Sequence, residues 1–266
     1  MKQRLDILLT EKNFFDSRAR AKSMIMAGKI LVNGQKIDKA GTLIPVDSEI
    51  RVLGDDLPFV SRGGLKLQKA LDVFKINLVG KMAADVGAST GGFTDCMLQR
   101  GAKMVYAIDV GYGQLAWKLR RDLRVVNKER TNIRNVTQRD FYYGLPEFVS
   151  IDVAFISLEK VLPVVFDILK DSGEVIALIK PQFEAGREHV GKKGVVRDKK
   201  IHMAVIEKVL NFAADVGFKI CGLDFSPVKG PEGNIEYLVY LTKNFPAEDF
   251  TEEIPAVVEA AHAELD

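Results

Sequence analysis

Apolar residues recur at helical spacing through RLDILLTEKN, and DSRARAKSMIMAGK reads as a second helix, with Asp16 or Ser17 as its N-cap and Gly28 at its stop. The period then changes. In KILVNGQKI two short β-prone runs flank Asn33-Gly34, a strong hairpin signal. AGTLIPVDSEIRVL adds one or two further short strands, which makes a small α+β module of residues 1–53. Residues 54–61, opening with GDDLP, read as a linker.

From Lys81 strand patterns alternate with helical ones. The strand candidates are KMAADVG, AKMVYAIDVG, RVVNKE, FVSIDVAFI, GEVIALIK, FKICGLDF and EYLVYLTK, with helical stretches expected between the first six. The last two are joined by SPVKGPEGNI, too short for a crossover helix, so the final strand is expected to run antiparallel. The fold class is therefore α/β: a seven-stranded sheet over residues 62–245 with its last strand antiparallel. That outline resembles the Rossmann-like methyltransferase fold. Residues 246–266, PAEDFTEEIPAVVEAAHAELD, read as an acidic surface helix.

Composition narrows the class without naming a function. Hydrophobic residues make up 47% and charged residues 28%, the balance of a soluble globular protein. No stretch longer than the nine residues Val86–Thr94 lacks Asp, Glu, Lys and Arg, so no apolar run reaches the ~20 residues of a membrane span. The opening MKQRLDILLTEKNFF has charges within its apolar run and no small-residue cleavage site, unlike a signal peptide. Cys96 and Cys221 lie far apart with no metal-ligand spacing; a reduced, cytoplasmic setting without a metal is expected. The net charge of +2 divides unevenly: residues 1–53 carry ten basic against six acidic groups, residues 246–266 carry none against seven. A basic body is what nucleic acid attracts, although a solvated surface accounts for it equally.

The turn DVGASTGGFTD concentrates Gly87, Gly91 and Gly92 between a strand and a helix. A dinucleotide fingerprint has the spacing G-x-G-x-x-G and rests a pyrophosphate on the helix N-terminus. Here the spacing is G-x-x-x-G-G, and Asp85 stands two residues before the first glycine. A carboxylate there repels a pyrophosphate but accepts hydrogen bonds from a cationic amino-acid moiety. Asp109, ending YAIDVG, stands where an acid grips two ribose hydroxyls. S-adenosylmethionine has both an α-amino group and a ribose, and no phosphate. Asp85, Gly87, Ser89, Gly91, Gly92, Phe93 and Asp109 are therefore its expected site, with a ligand-free tight turn as the alternative.

Four charges stand at strand or helix ends: Lys66 in VSRGGLKLQKAL, Asp152 in FVSID, Lys180 in VIALIKPQF and Glu236 after GPEGNI. An antiparallel last strand begins at the edge where parallel strands end, so all four are expected at one cleft, the edge where such folds bind substrates. A lysine ammonium stabilises a developing alkoxide, and a carboxylate holds the lysine and takes part in proton removal. A Lys-Asp-Lys-Glu set thus suits a ribose 2′-hydroxyl, whose pKa lies far above neutrality. Lys180 and Asp152 act on the hydroxyl, while Lys66 and Glu236 orient and balance charge.

VSRGGLKL, DVGASTGGFTD, ERTNIR, DVAFISL, IKPQFE and GPEGNIEY, in this order, resemble the successive motifs of the TlyA-type, haemolysin-A-like family. The catalytic core of that family is similar to the FtsJ-like ribose methyltransferases, and its N-terminal fifty residues form an S4 RNA-binding domain. The resemblance runs from about Arg4 to about Lys243. It implies 2′-O-methylation of ribosomal RNA, typically at cytidine, with S-adenosylmethionine as donor and ribosomal RNA or ribosomal subunits as partner. It also implies a catalytic tetrad of Lys66, Asp152, Lys180 and Glu236, cofactor contacts at Gly87, Gly91, Gly92 and Asp109, and an adenine contact at Asn132. Some members carry an aromatic, Arg-rich linker where this chain has GDDLPFV, so no linker role carries over.

In the S4-like module Arg4, Arg18, Arg20, Lys22 and Lys36 are expected to read phosphates, Arg18 and Lys22 sharing a helix face. Residues 117–139 add eight basic groups against two acidic ones. GREHVGKKGVVRDKK reads as a mobile basic loop closing over substrate, or as a passive surface loop; its His189 is not a convincing general base. The competing functions are a non-catalytic RNA-binding assembly protein and a membrane-active haemolysin. The acidic tail and the lack of a span disfavour the second. Base methylation is disfavoured too, because neither cysteine has a nucleophile's context and DVAF replaces an Asn/Asp-Pro-Pro-aromatic strand end.

Overall fold

The computed structural model describes residues 2–12, 14–15, 17–53, 57–230, 232–244, 250 and 252–265, in two compact units, Met1–Pro58 and Phe59–Asp266. Part of the expected linker (residues 54–56) and part of the acidic tail lie outside the described residues, as does the alternative N-cap Asp16.

The first unit runs β1 (Lys2–Arg4), α1 (Leu5–Glu11), α2 (Arg18–Met26), β2 (Ile30–Val32), β3 (Gln35–Ile37), β4 (Leu43–Pro45) and β5 (Ile50–Val52). Ser17 caps α2 by accepting the Arg20 N–H at 3.3 Å. Asn33 and Gly34 both have positive φ, 50° and 79°, as the tight hairpin between β2 and β3 requires. Strands β3-β2-β5 form one sheet and β1-β4 another. Leu5, Leu8 and Leu9 of α1 meet Ala21 and Ile25 of α2 over Ile30 and Val32, so the helical spacing seen in the sequence is a core stripe.

The second unit runs α3 (Gly63–Val73), β6 (Met82–Val86), α4 (Gly92–Gln99), β7 (Met104–Ile108), α5 (Trp117–Arg120), β8 (Val125–Lys128), β9 (Phe148–Ile151), α6 (Leu162–Ile168), β10 (Glu174–Ile179), α7 (Pro181–Glu184), α8 (Lys199–Val216), β11 (Lys219–Phe225), β12 (Tyr237–Thr242) and α9 (Ile254–Leu265). The sheet order is β11-β12-β10-β9-β6-β7-β8, with β12 antiparallel to both neighbours. This is the seven-stranded arrangement the pattern predicts. Both faces are covered: Ala84, Val86, Tyr106 and Ile108 belong to one apolar cluster with residues of α6, α8 and α9, while Ala83, Val105 and Ala107 belong to another with residues of α3 and α4. Double burial explains why the strands read as continuous apolar runs rather than alternating ones. Strand order reverses between β6 and β9, the switch point where open α/β sheets hold ligands.

Two expectations need correction. No α-helix separates β8 from β9; two 3₁₀ turns, Ile133–Asn135 and Gln138–Asp140, take its place. Asn132 accepts the Arg134 N–H at 3.1 Å, and Asp140 accepts the Thr137 N–H at 2.9 Å. Asn132 caps the first turn, and Asp140 closes the second back onto its own N-cap, Thr137, so each turn is locally self-contained. The C-terminal helix is likewise not simply a surface helix. Ile254, Val258 and Ala261 of α9 are buried, and His262 meets His202 of α8 at 3.2 Å. Glu259 and Glu264 of the same helix are exposed. No helix among the described residues is long and apolar enough to cross a membrane.

Candidate active site

The glycine turn follows β6 directly, and its bare positions answer to the protein's own packing. At Gly87, with φ of 89°, a Cβ would stand 2.4 Å from the carbonyl oxygen of Asp152. Gly91, with φ of 95°, caps α4; a Cβ there would strike Leu119 Cδ1 at 2.3 Å. One at Gly92 would strike Ser61 Oγ at 2.3 Å and the Gly64 backbone nitrogen at 2.9 Å. Gly91 and Gly92 are thus small because α5 and the start of α3 press on them, and neither lines the cleft beside the turn. The Phe93 side chain is buried in the core with α3.

The Asp85 carboxylate lies beneath the turn rather than on the cleft wall. It is fully buried, and Oδ2 accepts Thr94 N at 2.8 Å and Thr94 Oγ1 at 2.7 Å, while Oδ1 accepts Ser150 Oγ at 3.2 Å. It pins the first turn of α4 to β6 and β9. Burial pushes its carboxyl up to about 7, Asp152 adding to the rise against the bonds from Thr94 and Ser150. The unfolded reference is 3.8, so between 3.8 and about 7 the unfolded chain has released a proton that the folded chain keeps. Stability therefore falls as pH rises through that window and levels off above it. Asp85→Asn, neutral throughout, is expected to gain in Tm on the parent from pH 5 to pH 7. A difference in Tm that stays constant with pH would show that this carboxyl does not titrate there.

A cleft of about 520 Å³ opens over the ends of β6, β7 and β9, with Gly87, Ser89, Asp109, Asn132, Asp152 and Phe155 on its walls. The Asp109 carboxylate is aimed by two backbone donors, Ser89 N at 2.8 Å and Gly111 N at 2.6 Å. Each oxygen keeps lone pairs for a further donor. Asn132 holds its own 3₁₀ turn and shares the wall with Ile133. Volume and donor set suit a nucleoside-sized ligand.

At one edge of this cleft the four expected charges meet. Asp152 follows β9, Lys180 follows β10, Glu236 precedes β12 and Lys66 reaches in from the first turn of α3. The Lys180 ammonium pairs with Asp152 Oδ1. Lys66 Nζ lies 3.8 Å from Asp152 Oδ2 and 2.5 Å from Glu236 Oε2. Lys66, Lys180 and Glu236 are all buried, and Glu236 Oε1 is buried without a hydrogen-bond partner among the described residues. Two cations and two anions alternate in one line, which is how a dry site tolerates four charges. Phe155 and Glu184, near this line, were not singled out by the sequence reading. Both stand in quoted motifs, DVAFISL and IKPQFE, without any chemical signal to separate them from core residues.

Of the residues expected to read phosphates, Arg20, Lys22 and Lys36 are exposed. Arg4 and Arg18 instead converge on the buried Asp6, each at 3.0 Å. The hydrogen bond from Arg4, with Arg18 beside it, holds the Asp6 carboxyl below the usual carboxylate range. These two guanidiniums are partly committed within the fold. The basic loop of residues 186–200 is also tied down: Asn234 accepts Val196 N at 3.0 Å and donates to Gly194 O at 2.8 Å. The loop is thus anchored at residues 194–196.

Residues 59–243 match the family described as FtsJ-like methyltransferase, and residues 3–50 match the S4 domain. The chain is 52% identical to a provisionally named rRNA methyltransferase, YqxC, of Bacillus subtilis, over 99% of this chain and 95% of that one. It is 41% identical to the 16S/23S rRNA (cytidine-2′-O)-methyltransferase TlyA of Mycobacterium tuberculosis, over 90% of this chain and 89% of that one. A solved structure, a provisionally named hemolysin from Streptococcus thermophilus, matches with a TM-score of 0.79 at 50% identity, covering 99% of this chain and 96% of that one.

Proposed function

The chain belongs to the FtsJ-like methyltransferase family and carries an S4 domain, and from that premise we propose that it methylates the ribose 2′-hydroxyl of a cytidine in ribosomal RNA, with S-adenosylmethionine as donor. The observation that carries the reading is the buried line Lys180–Asp152–Lys66–Glu236 at the rim of a nucleoside-sized cleft.

S-adenosylmethionine, when bound, supplies a methyl group made electrophilic by its sulfonium. Asp109 would hold its ribose hydroxyls, and Asn132 with Ile133 would border its adenine. Lys180 presents an ammonium to the incoming 2′-hydroxyl and stabilises the oxygen as it acquires negative charge. Asp152 aims that ammonium and takes part in removing the proton. Lys66 neutralises Asp152 on its inner side, and Glu236 holds Lys66 from below, so the outer pair stays in place without an uncompensated buried charge. The exposed Arg20, Lys22 and Lys36 supply sequence-independent phosphate contacts in the S4 unit.

The test is transfer of labelled methyl from S-adenosylmethionine to separated ribosomal subunits, followed by digestion to nucleosides. Label in 2′-O-methylcytidine supports the reading. Label on a base refutes the mechanism, and cofactor binding without label on either subunit favours the non-catalytic RNA-binding alternative. Asp109→Ala is expected to weaken cofactor binding about tenfold or more, the scale of hydrogen bonds to a charged group, as titration calorimetry would measure.

A further inference from the structure

Two cross-links join the loop that follows Asp152 to the helix that follows Lys180. Glu184, the last residue of α7, is buried; its Oε2 accepts Ser157 Oγ and its Oε1 accepts Leu158 N, both at 2.7 Å. One residue earlier, the ring of Phe183 lies 5.1 Å from that of Phe155. Between Asp152 and the Glu184 contacts, Phe155 has φ of 62° and is 92% exposed at the rim of the cleft. A bulky residue takes that left-handed conformation only where its surroundings impose it.

The geometry closes a ring. Lys180 is the N-cap of α7, and Phe183 N bonds Lys180 O at 2.9 Å, so α7 is one stiff turn carrying Lys180 at its start and Glu184 at its end. Loop 153–158 carries Asp152 at its start and the two Glu184 donors at its end. The Lys180–Asp152 ion pair closes one side and Glu184 the other. Burial raises the Glu184 carboxyl above its ordinary range, so an acid here is an unfavourable choice unless its two acceptors are needed.

We propose that Glu184 is a positioning residue for methyl transfer: by clasping residues 157 and 158 it sets the distance between Lys180 and Asp152 and holds the strained loop between them. The inference rests on the functional reading above. Glu184 touches neither substrate nor donor; it acts through the pair it aligns.

The test uses the full chain, with methyl transfer to ribosomal RNA, cofactor affinity and Tm measured on each variant. Glu184→Gln keeps the shape and loses one acceptor. Its kcat is expected to fall about tenfold to a hundredfold, the scale of a misplacement near 1 Å, with cofactor Kd and RNA KM held to within about twofold. Ser157→Ala is expected to lower kcat less, and the double variant less than the product of the two, because they share one contact. Lys208→Ala, which breaks the neighbouring surface pair with Glu159 at 3.0 Å, leaves kcat unchanged. A Glu184→Gln enzyme with kcat within about twofold of the parent, or a loss that follows only the folded fraction at the assay temperature, would overturn the proposal. A parent that binds the donor and methylates no ribosomal RNA would overturn the functional reading, and this inference with it.

Discussion

Lys180→Ala is expected to lower the single-turnover rate of methyl transfer by about three orders of magnitude while leaving cofactor affinity within a few-fold of the parent. The rate loss combines two contributions of the kind that each typically supply ~10²-fold or more: the positive charge opposite the developing alkoxide, and the partner that aims Asp152. The affinity should survive because Lys180 is not on the cleft wall, where Asp109 and Asn132 stand. After the substitution Asp152 keeps only Lys66, 3.8 Å away on its inner side. Lys180→Arg should not restore the rate. A planar guanidinium in a buried position made for an ammonium puts its charge elsewhere. Rapid-quench assays beside calorimetric titration of the donor separate the two quantities. A variant that loses affinity and rate in equal measure would show Lys180 to be a binding group instead.

Gly87→Ala should be among the most damaging single-methyl additions to the second unit. Left-handed backbone costs an alanine about 1–2 kcal/mol. Crowding comes on top, because the new Cβ would lie 2.4 Å from the carbonyl oxygen of Asp152 and 2.9 Å from its carbon. Those atoms are backbone at the end of a buried strand and cannot swing aside like a side chain. A total of about 3 kcal/mol or more is expected in urea unfolding. Gly80→Ala supplies the control. It too has positive φ, 76°, but nothing stands within 4 Å of its Cβ, so only the backbone cost applies. Equal losses at the two sites would mean that β9 yields freely. That outcome would also predict normal activity for Gly87→Ala, whereas a displaced Asp152 predicts its loss.

The strands were legible because five of them are buried on both faces, and such runs stand out in any sequence. The convergence of Lys66, Asp152, Lys180 and Glu236 was legible for a subtler reason. A loop too short for a crossover made the last strand antiparallel, which put Glu236 at the same edge as the ends of β9 and β10. The packing behind the glycine turn was not legible, because a bare position looks the same whether a ligand or a helix presses on it. Only coordinates distinguish Leu119 against Gly91 from a ligand there. Asp85 shows the same ambiguity, since a carboxylate that binds a ligand and one that staples a helix to a strand have the same neighbours in sequence. The ion pair of Arg18 with Asp6 was not legible because Asp6 lies twelve residues away, on another helix. The missing helix after β8 was hidden by its composition, in which helix-compatible residues are interrupted by Asn132 and Thr137, each capping a turn of its own.

Strand β12 lies between β10 and β11, although it follows both in the chain. During synthesis, then, β11 emerges with no neighbour to pair with, and β10 waits with an open edge until residues 237–242 arrive. The Lys66–Glu236 pair joins groups 170 residues apart and cannot form before that insertion. Until then Lys66 is an ammonium without its inner partner. The order in which the polypeptide is made thus sets the order in which the site matures: a nascent chain has its glycine turn and most of its cleft long before it has a complete row of charges.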